Sequence, residues 1–159
     1  MSLQRILLGV AAAIAVAGLQ PNAFAHAAAG SASAQHLATL PLTISTTTGR
    51  HPFQVEVART EGQQSRGLMY RKPLAPDRGM IFPMRPPRQA AFWMKNTPSP
   101  LDIIFIAPGG KVLKVAAMAT PYSLDAIDSD GPVEAVLEIR GGRAAEIGLL
   151  PGDRVEWRN

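Results

Sequence analysis

The sequence predicts a mainly β chain: a single compact antiparallel β-sandwich or jelly-roll-like barrel with one or two short helices. Three observations carry this. Apolar residues recur at period two in short runs, Pro and Gly punctuate the chain between those runs, and no 30-residue βαβ spacing or internal repeat is present. In chain order, Leu42/Ile44 and Phe53/Val55/Val57 alternate with polar neighbours, as half-buried strands do. Thr60 followed by Gln63 resembles a capping box, and Gly67 would end the short helix it opens. Residues 80–82 (MIF) and 103–106 (IIFI) are apolar on both faces and suit inner strands, with residues 91–94 (AFWM) between them. Residues 112–115 (VLKV), Val133/Ala135/Leu137/Ile139 and Val155/Trp157 complete the strand set. A second helical turn is expected over residues 143–147, stopped by Gly148. The turns fall at 48–49, 86–87, 97–100, 108–110, 130–132 and 151–152, each holding Gly or Pro.

The N-terminal residues are of a different kind. Arg5 precedes an uncharged run over residues 6–19, which as a helix would reach about 21 Å, short of the roughly 30 Å hydrocarbon core. Pro21 breaks it, and Ala23 and Ala25 flank Phe24 in the small-x-small pattern of signal peptidase sites. The expected organisation is a secretory signal over 1–25, cut between Ala25 and His26, a flexible leader over 26–41, and one β domain over 42–159. The destination is periplasmic or secreted, with no stable membrane anchor after cleavage.

Composition narrows the chemistry further. The 159 residues carry a net charge of +4 and no cysteine, so disulfides, thiol nucleophiles and Cys-ligated metals are excluded. From Arg59 to Lys95 eight bases meet only Glu61 and Asp77, whereas from Asn96 onward nine acids outnumber six bases. A basic middle and an acidic end suit a local basic face, and without regular aromatic interleaving no nucleic-acid partner is expected. No Gly-x-Ser-x-Gly elbow, His-Glu-x-x-His motif or phosphate loop is present, and no motif implies a cofactor.

Several segments together resemble one family: residues 53–57 (FQVEV), 67–69 (GLM), 79–82 (GMIF), 92–97 (FWMKNT), 100–105 (PLDIIF), 136–138 (VLE) and 148–155. In this order the chain resembles the bacterial and archaeal domain of unknown function 192 family over about 43–159. The resemblance implies a compact, mostly-β jelly-roll-like fold, often exported, with no established reaction or ligand.

The candidate site residues come from the residues themselves. Trp93, Lys95, Asn96 and Asp102 could form a ligand pocket with an aromatic wall, polar anchors and a tuned carboxylate. Asp102 shares a strand face with Ile104 and Ile106, so its charge needs backbone amides, Asn96 or a cation. The alternative is that Asn96 and Asp102 tie the 97–100 loop while Trp93 fills the core. Glu138 is a second carboxylate, expected to point outward into solvent; opposite Asp102 across the sheet it could serve acid/base chemistry. Met69, Met80, Met84, Met94 and Met118 are read as adaptable core filler and, alternatively, as thioether ligands for copper. An N-terminal His26 could chelate copper only with a second histidine held nearby; nothing in the sequence places His36 or His51 there, and an accessible cleavage sequence is the preferred reading. Asp125, Asp128 and Asp130 before Gly131 form an acidic turn without EF-hand spacing.

The leading functional reading is an exported, non-enzymatic binding module for a small ligand, glycan or cell-envelope partner. The alternatives are an enzyme of undefined class using Asp102 and Glu138, and a periplasmic copper- or metal-handling protein.

Overall fold

The computed structural model describes residues 34–158. The expected signal segment, its cleavage site and His26 lie outside those residues. β1 (Thr39–Thr46) and β2 (Gly49–Val57) form a tight hairpin with Thr46 opposite Gly49. α1 (Glu61–Arg66) opens on the expected capping box: Thr60 Oγ1 accepts from the Gln63 amide at 3.2 Å, and the Gln63 side chain accepts from the Thr60 amide at 3.1 Å. Gly67 closes the helix at φ +46°. A Cβ there would touch the Phe82 ring at 3.4 Å, so the glycine both reverses the chain and lets it lie against Phe82.

β3 (Arg78–Arg88), β4 (Ala91–Phe92), β5 (Leu101–Ala107) and β6 (Lys111–Ala119) follow, then β7 (Ile127–Asp128), β8 (Val133–Arg140), α2 (Arg143–Glu146) and β9 (Arg154–Trp157). Seven strands close into a barrel in the order β1-β2-β3-β8-β5-β6-β9, and β9 returns to β1 with Leu42 opposite Trp157. Closure leaves the barrel itself without a free sheet edge, and β4 pairs with β7 in a separate two-stranded sheet. One pairing departs from an all-antiparallel barrel: β2 and β3 run parallel, Val55 beside Gly79. The reason is the connection. Residues 58–77, which include α1, carry the chain back to the starting end of β2, as a parallel pair requires. The expected strand over 91–94 is shorter, because the Met94 amide leaves the ladder to bond the Ser123 carbonyl at 3.0 Å.

Two apolar cores lie on the two sides of the sheet. Leu42, Ile44, Phe53, Val55, Ile81, Ile104, Leu137 and Val155 fill the barrel, and Ala144, Ile147 and Leu149 pack with them from the α2 turn. Met80, Phe82, Ile103, Phe105 and Val136 face outward, yet Leu68 and Met94 cover them and make a second core. This is why residues 80–82 and 103–106 are apolar on both faces.

Residues 35–38, within the expected leader, lie against the barrel. The Gln35 side chain donates to the Gln63 and Gly67 carbonyls at 2.8 and 3.2 Å. Leu37 donates its amide to the Glu56 carboxylate, and the Val57 amide reaches the Ala38 carbonyl at 3.1 Å. Arg71 grips the same carboxylate with two bonds of 2.8 and 2.7 Å. Burial raises the Glu56 carboxyl, but Arg71 and the Leu37 amide outweigh burial and hold it below its usual value.

Candidate functional site

The outer core is incompletely covered. Between the segment after α1, the end of β3, the β4 loop and β8 lies a pocket of about 340 Å³. Leu68, Met69, Phe82, Met84 and Phe92 form its apolar wall; Arg66, Arg88, Trp93, Lys95 and Glu138 supply its polar and aromatic groups. Phe92 stands edge-on to Phe82 at 5.0 Å and to Phe105 at 6.3 Å, which fixes the wall as a ring ladder.

Glu138 is the unusual member. It faces outward on β8 beside Met80 of β3 and Ile103 of β5, and only 4% of it is exposed. None of the hydrogen bonds among the described residues reaches its carboxyl, and burial alone pushes that group up to about 8. At neutral pH it is therefore mostly a protonated acid, a hydrogen-bond donor aimed into an apolar pocket. The expected solvated position gives way to a buried one because Leu68 and Met94 roof this face. Val136, apolar between Glu134 and Glu138 on the same face, was the sequence signal for that roof.

Asp102 is placed elsewhere. It lies on the barrel-interior side of β5 with Ile104 and Ile106, fully buried, and three backbone amides take its carboxylate. Met118 and Gly142 donate to Oδ1 at 2.8 and 3.0 Å, and Ala144 donates to Oδ2 at 2.7 Å. Asp102 thereby ties β6 to the α2 turn. Asp102 and Glu138 sit on opposite faces of one sheet, and the structure does not bring them together.

Trp93 and Lys95 do come together, at the pocket mouth. Trp93 is 47% exposed rather than core-filling, and the Lys95 ammonium lies 5.0 Å above its ring. Asn96 has a scaffold task. It adopts φ +54°, its carbonyl accepts from the Tyr70 amide at 2.8 Å, and its side chain donates to Met69 Sδ at 3.8 Å. Tyr70 and Tyr122 also have φ of +62°, and the Tyr122 amide bonds the Thr97 carbonyl at 3.2 Å. Residues 70, 96 and 122, all in the left-handed region, are thus linked through the 95–97 turn, whose Lys95 and Thr97 line the pocket.

The remaining candidates scatter. Met80, Met84 and Met94 belong to the outer core, Met69 lines the pocket, and Met118 is exposed. His36 contacts Arg71 and His51 contacts Thr46 and Thr48. In the acidic turn, Asp130 pairs with Lys114 at 2.9 Å and Asp125 accepts from Ser123 at 3.0 Å. Among the described residues no group of three or more His, Cys, Asp or Glu side chains is placed to hold a metal ion.

Comparison with known proteins agrees with this architecture. The chain is similar to a solved protein of unknown function from Novosphingobium aromaticivorans DSM 12444. That match has 50% identity and a TM-score of 0.75, and it covers 76% of this chain and 86% of that one. It is also similar to a Sinorhizobium meliloti 1021 protein named as a candidate transcription regulator. There the identity is 40% and the TM-score 0.75, with 79% of this chain and 98% of that one covered. No curated protein matches. The sequence model of the DUF192 family, described as Uncharacterized ACR, matches residues 43–157. With that match over most of its length, the chain belongs to the domain of unknown function 192 family.

Proposed function

We propose that this protein is an exported, non-enzymatic binding module that takes a small molecule into the Glu138 pocket, with Trp93 and Lys95 at its mouth. The observation that carries the reading is Glu138 itself. Glu138 lines the pocket, is only 4% exposed and accepts no hydrogen bond from the described residues, so a polar ligand there has a carboxyl to pair with. The pocket volume of about 340 Å³ falls at the small end of ligand sites, and its ring ladder and thioethers give an apolar body somewhere to lie. Asn96 acts by positioning the mouth, and Asp102 acts as scaffold.

The binding reading is preferred over the paired-carboxylate enzyme because the second carboxylate is on the far side of the sheet. Export rests on the apolar run over 6–19 and the Ala23-x-Ala25 site.

Crystals soaked with a broad fragment library test the reading. Fragments should collect between Phe92 and Glu138. A library that fills other clefts and leaves this pocket empty contradicts it.

A further inference from the structure

The pocket has opposite demands at its two ends, and together they define a ligand class. At the mouth, Arg88 and Lys95 have no carboxylate partner among the described residues, unlike Arg50, Arg71, Arg140, Arg143 and Lys114. At the floor, Glu138 offers a proton and has no acceptor among the described residues. Between them lies the wall of Phe82, Phe92, Met69 and Met84.

Resting on the binding reading above, we infer that the natural ligand is a small amphipathic anion. Its apolar body is about the size of one ring, its anionic group meets Arg88 and Lys95, and a neutral hydrogen-bond acceptor at its far end meets Glu138.

The charges around Glu138 favour this over a cation bound at the floor. Arg66, Arg88 and Lys95 line the approach, and a cation would pass all three. β3 presents Met80 to Glu138 and β5 presents Ile103. On its own strand face stand Val136 and Arg140, the latter bound to Glu146 at 2.6 Å. Asp102, the nearest carboxylate along the register, faces the barrel interior. No second acid is present in the pocket lining to help carry an ammonium. A neutral donor at the floor and cations at the mouth complement an anion with a carbonyl or ether at its distal end.

Three probes that share one shape separate the possibilities: 4-acetylphenylacetate, 4-isopropylphenylacetate and 4-(aminomethyl)phenylacetate, titrated calorimetrically into the purified protein at pH 7 and pH 9. The acetyl probe should bind at least about tenfold more tightly than the isopropyl probe, because only it pairs with Glu138. Its affinity should drop about tenfold by pH 9, as a carboxyl titrating near 8 loses its proton. Glu138→Gln should flatten that pH dependence, and Lys95→Ala should weaken the acetyl and isopropyl acids alike. Equal binding of the isopropyl probe overturns the inference, and so does tightest binding of the aminomethyl probe. If none of the three binds, the inference also falls. The fragment soak then decides the fate of the binding reading separately, because ligands of other chemistry in the pocket would preserve it.

Discussion

Asp102 and Glu138 stand one register step apart on paired strands, β5 and β8, and point to opposite sides of the sheet. Asp102 lies beside Ile139 and Ile103 beside Glu138. The two carboxylates consequently live by different physics. One enters a closed interior and is satisfied by three backbone amides. The other enters a covered outer face and is satisfied by none. Most of what this protein is expected to do follows from that difference.

The Asp102 carboxylate is structural, so its removal should be felt in stability alone. Asp102→Ala leaves the Met118, Gly142 and Ala144 amides without their acceptor and should cost about 3 kcal/mol or more. Chemical denaturation measures it. Variant protein that remains folded should bind pocket ligands as before; lost binding at unchanged stability would return Asp102 to the site.

Glu138 should make the protein weaker in base. Its folded value is raised to about 8 from 4.5, so its contribution is fully present below about 4.5 and fades as pH rises through 8. Unfolding curves at pH 5 and pH 9 should therefore show a loss on the order of a few kcal/mol. In Glu138→Gln that loss should largely disappear, giving a variant that gains most at high pH.

Arg71 and Glu56 form a nearly buried bidentate pair, with side chains 10% and 15% exposed. Arg71→Met strands the Glu56 charge and should cost about 3 kcal/mol. Because Glu56 is held below its usual value, its stabilisation is present above about 4.5 and lost as pH falls through its lowered folded value. The cost of the substitution should accordingly shrink in acid. Limited proteolysis should also cut residues 34–38 faster, since Glu56 is what holds the Leu37 amide.

Gly79 sets how closely β3 approaches β8. A Cβ there would lie 2.5 Å from the Glu138 carbonyl oxygen and 3.3 Å from Val55. Gly79→Ala must push the strands apart and should lower thermal stability by several kcal/mol, or about 10 °C. A change under about 0.5 kcal/mol would show that the sheet yields at this point.

Much of the fold was legible because period-two alternation reports which side of a sheet is buried. Residues 133–139 gave a strand with its inward face correct, and the Thr60 capping box and its Gly67 stop appear as read. The parallel β2–β3 pair was not legible, since pairing direction is set by a connection whose path depends on long-range packing. At the site, Trp93 and Lys95 were readable from their spacing in a turn-flanked aromatic run. Glu138 was not, because a carboxylate on an alternating strand is ordinarily solvated, and its roof comes from Leu68 and Met94, far away in sequence. Asp102 was legible as a charge needing an answer, while the answering amides arrive from residues 118, 142 and 144.

The central claim is that small molecules occupy the cavity above Glu138. Methyl-labelled methionine provides its own reporters, because Met69 and Met84 line that cavity whereas Met118 is exposed outside its lining. NMR titration of the labelled protein with 4-acetylphenylacetate should shift the Met69 and Met84 methyl signals saturably, leave Met118 unmoved, and lose this response in Trp93→Ala. Saturable binding that moves Met118 while Met69 and Met84 stay still would contradict the account.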